Sequence, residues 1–198
     1  GVINNWNWDF GDGSVNSLLQ NPSHIYSTPG TYSVTLLVSS SNNCADTAIH
    51  WVTVNALPTV NFNAPNVCLG NQTTFNNTSS IVSGNITGWN WDVNGDGIID
   101  ANTQGLIFNY TNTATYTVIL TASSNANCTN TYSSTVTVHP LPLINFSANN
   151  VCHNAVTGFT NNSSIGNGNQ ISNYTWSLGN STTSMQTNPM VIYSTPGN

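Results

Sequence analysis

The chain has no lysine, no arginine and no glutamate; its six formal charges are all aspartates, and 198 residues carry a net charge of −6. A typical globular chain devotes roughly 25% of its residues to charge, but here the share is 3%. Solubility therefore rests on Asn, Ser and Thr. Without a cation there is no counter-charge for phosphate, which excludes nucleic-acid binding, nucleotide binding and adhesion to acidic membranes. Lysine chemistry, including Schiff bases and side-chain isopeptide links, is impossible, and trypsin-like proteases find no cleavage site. That suits a chain exposed outside the cell. No run of about twenty apolar residues and no secretory leader pattern is present, so no membrane insertion is expected from these residues. His24, His50, His139 and His153 are scattered, so zinc, which needs clustered His or Cys ligands, is not expected; nor do the acids form a glycosidase-like pair. No catalysis is expected.

What charge there is gathers at two places. Five of the six aspartates lie in Trp6-Asn-Trp-Asp-Phe-Gly-Asp-Gly13 and Trp89-Asn-Trp-Asp-Val-Asn-Gly-Asp-Gly-Ile-Ile-Asp100. Trp89 and Trp91 are two apart, so in a strand they share one face while Asn90 takes the other. A half-buried strand needs that pattern, and the Trp pair is expected in the core. After it, Asp92, Asn94, Asp96 and Asp100 keep a D-x-N-x-D-G-x-x-D spacing, with Gly97 where a calcium loop turns sharply. With the Ile98 carbonyl they offer a hard cation oxygen ligands from alternate residues. Thr103 stands where the bidentate Glu of such a loop is usually found. Calcium is thus a candidate cofactor at this corner, and more weakly at Asp9 and Asp12; the bland alternative is an acidic turn that solvates a sharp corner.

The chain repeats with a period of 84: Tyr26 recurs as Tyr110, Tyr32 as Tyr116, Cys44 as Cys128, Leu57-Pro58 as Leu141-Pro142, Phe62 as Phe146, Cys68 as Cys152 and Phe75 as Phe159. The segment Ile25-Tyr-Ser-Thr-Pro-Gly30 returns unchanged at 192–197. This periodicity divides the chain into the last two-thirds of one repeat (1–58), a complete repeat (59–142) and the first two-thirds of a third (143–198). The Leu-Pro seams carry no Gly/Ser linker, so semi-rigid stacking is expected. Alternating, β-branched stretches at 32–38, 49–54, 116–122 and 135–138, with shorter ones at 59–62, 73–75 and 86–91, read as strands. Pro29-Gly30 marks a turn before one of them. No amphipathic helix is found, and about seven strands in each repeat predict an all-β, immunoglobulin-like sandwich in tandem.

Trp8-Asp-Phe-Gly-Asp-Gly13, then Asn21-Pro-Ser-His-Ile-Tyr26, then Pro29-Gly-Thr-Tyr-Ser-Val-Thr-Leu36, together resemble the signature of the PKD (polycystic kidney disease) domain. The second repeat departs from it with Asp-Val-Asn-Gly-Asp-Gly and with Thr113-Ala114 in place of Pro29-Gly30. The third keeps Trp176-Ser-Leu-Gly-Asn180 without either acid, which argues against a metal there. With Val-Cys, Asn-Cys and Leu-Pro at fixed places, the pattern is similar to tandem PKD repeats in very large secreted proteins of Bacteroidota. That resemblance implies surface adhesins, gliding-associated filaments or secreted cargo.

Four cysteines in a repeat protein suggest an oxidised, extracytoplasmic setting. The economical pair is Cys68 with Cys128, within the complete repeat, closing a loop worth about 4 kcal/mol in the loop-entropy view. Strand parity puts these two at opposite poles, however, and the alternative is that bridges, including those of Cys44 and Cys152, join neighbouring units or chains. Asn-x-Ser/Thr triplets, at Asn71, Asn77, Asn85, Asn109, Asn145, Asn161, Asn173 and Asn180, arise readily by chance in this composition. Two functions follow as expectations: a stalk or filament segment that self-associates, since low net charge favours association, or an accessory module binding surface glycans through exposed aromatics such as Trp51 or Trp6.

Overall fold

The computed structural model describes residues 2–195, so Pro196 and Gly197 of the recurring Ile192–Gly197 segment lie outside the described residues. Contacts divide the chain into two compact units. One runs through Ala64 and takes in Thr74–Ile107 and Tyr116–Thr135; the other comprises Pro65–Thr73, Phe108–Thr115 and the residues from Val136 on. All regular structure among the described residues is β, and the repeats are immunoglobulin-like sandwich elements in tandem.

In the first repeat, β1 (Ile3–Asp9), β2 (Gly30–Ser40) and β3 (Ala45–Val54) form one antiparallel sheet in that order. Register places Trp6 opposite Val38 and Trp8 opposite Leu36, with Leu36 in turn opposite Ala48. The two tryptophans and the aliphatic positions of β2 thus share one face, as period-two alternation requires. The β2–β3 hairpin closes through Asn43, which holds φ at 60°, a conformation Asn tolerates better than most residues. Ser40 Oγ accepts the amides of Asn42 and Cys44, both at 3.3 Å.

The second repeat supplies β4 (Phe62–Asn63), β5 (Val67–Cys68), β6 (Thr73–Asn77), β7 (Ile86–Asp92), β8 (Leu106–Phe108), β9 (Thr115–Ser124) and β10 (Thr129–His139). They pair in the orders β4-β6-β8 and β5-β10-β9-β7. Val118, Leu120, Ala122 and Ser124 are buried at every second position of β9, with Val136 and Val138 likewise on β10. Trp91 is wholly buried and meets Phe62 at 5.1 Å and Phe75 at 5.4 Å between ring centroids. Phe62 also meets Tyr132 edge-on at 5.4 Å, the geometry aromatic quadrupoles favour. The parallel pairing of β5 with Val138 and His139 has no counterpart in the sequence reading. It is set by Asn66, whose Oδ1 accepts the Thr137 amide at 2.8 Å.

In the third repeat, β11 (Phe146–Ala148), β12 (Val156–Asn161) and β15 (Met190–Ile192) make one sheet, while β13 (Trp176–Ser177) and β14 (Thr183–Ser184) pair with each other. Phe146 and Phe159 meet Trp176 at 5.3 and 5.9 Å, repeating the Phe62, Phe75 and Trp91 group. Phe62 is buried but its counterpart Phe146 is exposed. Phe62→Ala is therefore expected to cost about 3–5 kcal/mol, and Phe146→Ala less than about half of that. Urea unfolding of the two variants checks the difference.

Candidate binding corners and exposed faces

The acidic corner of the second repeat begins where β7 ends. Asp92 Oδ1 accepts the amides of Gly95 at 2.7 Å and Asn94 at 3.3 Å, and Oδ2 accepts that of Gly97 at 2.9 Å. Asp96 Oδ1 accepts the Ile98 amide at 2.7 Å, Asn94 Oδ1 the Asp96 amide at 3.0 Å, and Asp100 Oδ2 the Val93 amide at 2.8 Å. Asn94 Nδ2 donates to Asp96 Oδ2 at 3.0 Å. The chain can turn this tightly because Gly95 and Gly97 hold φ at 75° and 84°; a Cβ on Gly95 would also sit 3.1 Å from the Thr117 carbonyl oxygen. Burial pushes the Asp92 carboxyl up, but the amides of Gly97, Gly95, Asn94 and Asp96 outweigh it and hold the group below its usual range.

Asp92, Asn94, Asp96, Asp100 and the Ile98 carbonyl are an all-oxygen set suited to a hard cation. Each carboxylate already serves the loop's own amides. Among the described residues no three His, Cys, Asp or Glu side chains converge as a metal site.

The first corner holds a pair that the sequence reading missed. Asp9 Oδ1 accepts the Gly11 amide at 2.9 Å and Asp12 Oδ1 the Ser14 amide at 3.0 Å. Asp12 Oδ2 lies 2.7 Å from His24 Nε2. His24 stacks flat on Phe10 at 3.9 Å. As one of four scattered histidines, His24 gave no sign of its partner, because twelve residues separate the two and only the fold brings them together. The hydrogen bonds from Ser14 and His24 hold the Asp12 carboxyl down at about 2.

The tryptophans divide by role. Trp8, Trp91 and Trp176 each donate the indole N–H to a carbonyl of the following loop, to Leu19 at 3.1 Å, Thr103 at 2.8 Å and Gln186 at 2.9 Å. Trp6 is half-buried beside them. Trp51 is 71% exposed, with Ile49 also exposed two positions before it on β3. Of the two aromatics expected to stack on sugar, Trp51 alone presents a free face.

Cys44, Cys68, Cys128 and Cys152 all carry free thiols. The expected Cys68–Cys128 bridge is not formed. Cys68 is register partner to His139, the last residue of β10, while Cys128 directly precedes Thr129, its first. Eleven residues of strand lie between, about 36 Å at 3.3 Å per residue, and a disulfide needs Cα atoms within about 7 Å. At one of the triplets, Asn77 is committed to the fold: it donates to the Gln104 carbonyl at 2.8 Å and accepts the Ser79 amide at 2.9 Å.

With this geometry in view, comparison with known proteins is specific. A family model described as PKD domain matches residues 1–54 and 55–140. A microbial collagenase of Vibrio alginolyticus is 46% identical over 50 residues, covering 25% of this chain and 6% of that protein. The chain therefore spans only a small fraction of that relative's length. The PKD1 domain of Vibrio anguillarum Epp is 28% identical, with a TM-score of 0.39, covering 43% of this chain and 96% of that domain. The PKD1 domain of Vibrio cholerae metalloprotease PrtV is 26% identical, with a TM-score of 0.37, over 43% and 98% respectively.

Two tests follow from the corners. A carboxyl held down in the folded state contributes stability above its unfolded value, about 3.9, and loses it as pH falls through the folded one. The Asp12 pair should therefore cost the first repeat stability between pH 4 and 2, the lower bound being its folded value of about 2. Asp12→Asn should flatten that part of a melting-temperature profile, and an unchanged slope would refute the pairing. At the second corner, a calcium ion held by Asp92, Asn94, Asp96 and Asp100 would make Asp96→Ala lower the melting temperature only when calcium is present; an equal loss in chelator would assign the corner to its loop amides alone.

Proposed function

The chain belongs to the PKD domain family, and on that premise we propose that it is a non-catalytic structural segment of a long extracellular repeat protein, part of a surface filament or stalk. Domains of this family are generally non-catalytic accessory modules, with proteases among the proteins that carry them. The observation that carries the reading is the threefold repetition of one structural group. Each repeat seats a Trp on an apolar strand face and ties its indole to a carbonyl of the loop that follows. Repetition of a scaffold, with variation at its acidic corners, fits a chain whose output is length and contact. The charge-poor surface supports it, because such units approach one another with little repulsion. The lack of Lys and Arg supports an extracellular setting.

A second reading has its own observation. Trp51 offers an open indole face, on which the apolar face of a sugar can stack, so a carbohydrate-binding accessory role is the alternative.

Antibody raised against the chain should label filaments on the surface of the source cells in immunogold electron microscopy. Label confined to the cell interior would overturn the proposal. On a glycan array the stalk reading expects no retention; binding lost in Trp51→Ala would establish the alternative.

A further inference from the structure

The complete repeat carries one thiol at each end. Cys128 directly precedes β10, and Cys68 is register partner to His139, the last residue of that strand. Neither is a core residue: Cys68 is exposed and Cys128 half-buried. Both ends recur 84 residues away with the same local geometry. The Ser40 amide donates to the Cys44 carbonyl at 2.9 Å, as the Ser124 amide does to Cys128 at 2.9 Å, and Asn43 and Asn127 hold φ at 60° and 59°. At the other end the Asn71 amide donates to the Cys68 carbonyl at 3.0 Å, and the Ala155 amide to that of Cys152 at 2.9 Å.

Hydrogen bonds place these ends at the Leu-Pro seams. At the first seam Asn130 Nδ2 donates to the Pro58 carbonyl at 2.9 Å. That bond holds the start of β10, with Cys128 two residues before it, against the residues leaving the first repeat. At the second seam Asn167 Nδ2 donates to Thr113 Oγ1 at 3.0 Å. Thr113 lies at the Cys68 end of the second repeat, because the next residue, Ala114, accepts the Val138 amide at 2.8 Å. One end of each repeat thus offers a Val-Cys thiol to a seam, and the other end offers an Asn-Cys thiol.

We propose that these thiols pair across the seams: Cys68 bridges to the cysteine answering to Cys128 in the repeat that follows. Distance decides between this bridge and one inside the repeat. Within the repeat the strand β10 holds the two cysteines about 36 Å apart. Across the seam the chain advances three residues from His139 to Pro142, about 10 Å. From the position answering to Asn130, the two residues back to the cysteine return about 7 Å towards Cys68. That leaves about 3 Å along the axis beside the roughly 5 Å between neighbouring strands, within the reach of about 7 Å that a disulfide allows.

The oxidant is a small disulfide such as oxidised glutathione. The Cys68 thiolate attacks one of its sulfurs and releases one glutathione; the second cysteine then attacks Cys68 Sγ and releases the other. One S–S bond forms and one breaks, the two cysteines lose two electrons, and their two protons end on the two glutathione thiols. The bridge fixes the angle between consecutive repeats at a joint that otherwise has a single chain crossing it. The inference rests on the stalk reading and names what stiffens the stalk.

Asn198 answers to Ala114 in the period of 84, so a second copy of residues 115–142 joined to the full chain completes the third repeat and supplies the cysteine in question. The extended chain is refolded with oxidised glutathione and its free thiols are alkylated. Chymotrypsin then cleaves it, since trypsin finds no site, and the peptides are weighed without reduction. One bridge is expected, from Cys68 to the copied cysteine, with Cys44, Cys128 and Cys152 alkylated. Cys68→Ser should leave every remaining thiol alkylated. Cys68 bridged to Cys128, joined to another molecule, or alkylated in an extended chain that still melts cooperatively would overturn the proposal. Should the extension prevent folding, the same peptide map of the long parent protein from the source cells decides. Val-Cys peptides joined to Asn-Cys peptides of the next repeat uphold the bridge, and free thiols there overturn it. Free thiols in filaments that antibody still labels would leave the stalk reading standing; absence of that label ends it even where the extended chain forms the bridge.

Discussion

Each repeat depends on placing one large indole against an apolar sheet face without leaving its N–H unpaired. A buried donor with no partner costs about 1–3 kcal/mol, so the ring can enter the core only if a carbonyl meets it. In every repeat the loop after the Trp strand provides that carbonyl, ten to twelve residues on. One side chain thereby fixes the strand, the packing of the facing Phe residues and the path of the loop. In the first two repeats a backbone bridge adds to it, from Trp8 to Ser17 and from Trp91 to Ala101.

The near absence of charge makes the same demand of every other turn. Where a cytosolic protein would leave Lys and Glu in water, this chain uses Asn, Ser and Asp as local acceptors for backbone amides. Ser40 and Ser124 close equivalent hairpins in the first two repeats. Ser79 and Ser163 each accept an amide and donate back to the same residue's carbonyl, at Asn61 and Asn145. Asp92 does the same at larger scale, gathering three amides of its own loop. A carboxylate that accepts loop amides keeps further lone pairs with which to meet a hard cation, and both roles need an oxygen at alternate positions of a tight turn. Spacing alone does not separate them.

Equivalent residues in different repeats have different surroundings. Phe62 and Phe146 occupy the same place in the period, yet one is core and the other surface. The amino acid does not decide this; the presence of an opposing sheet does.

Much of this was legible in the residues. The period of 84, the strand alternation, the shared face of the Trp pair and the all-β class follow from spacing, because side chains in a strand alternate by geometry whatever surrounds them. The acidic corners were visible as Asp-Gly clusters. Strand parity already set Cys68 and Cys128 at opposite poles, but the Asp12 and His24 pair and the parallel edge strand β5 were not legible. Each depends on which distant segment lies alongside, and local sequence is silent on that. The sequence by itself determined the unit, its strands and its buried indole; only the tertiary structure decided which faces each unit covers, because burial is a property of pairs of surfaces and not of residues.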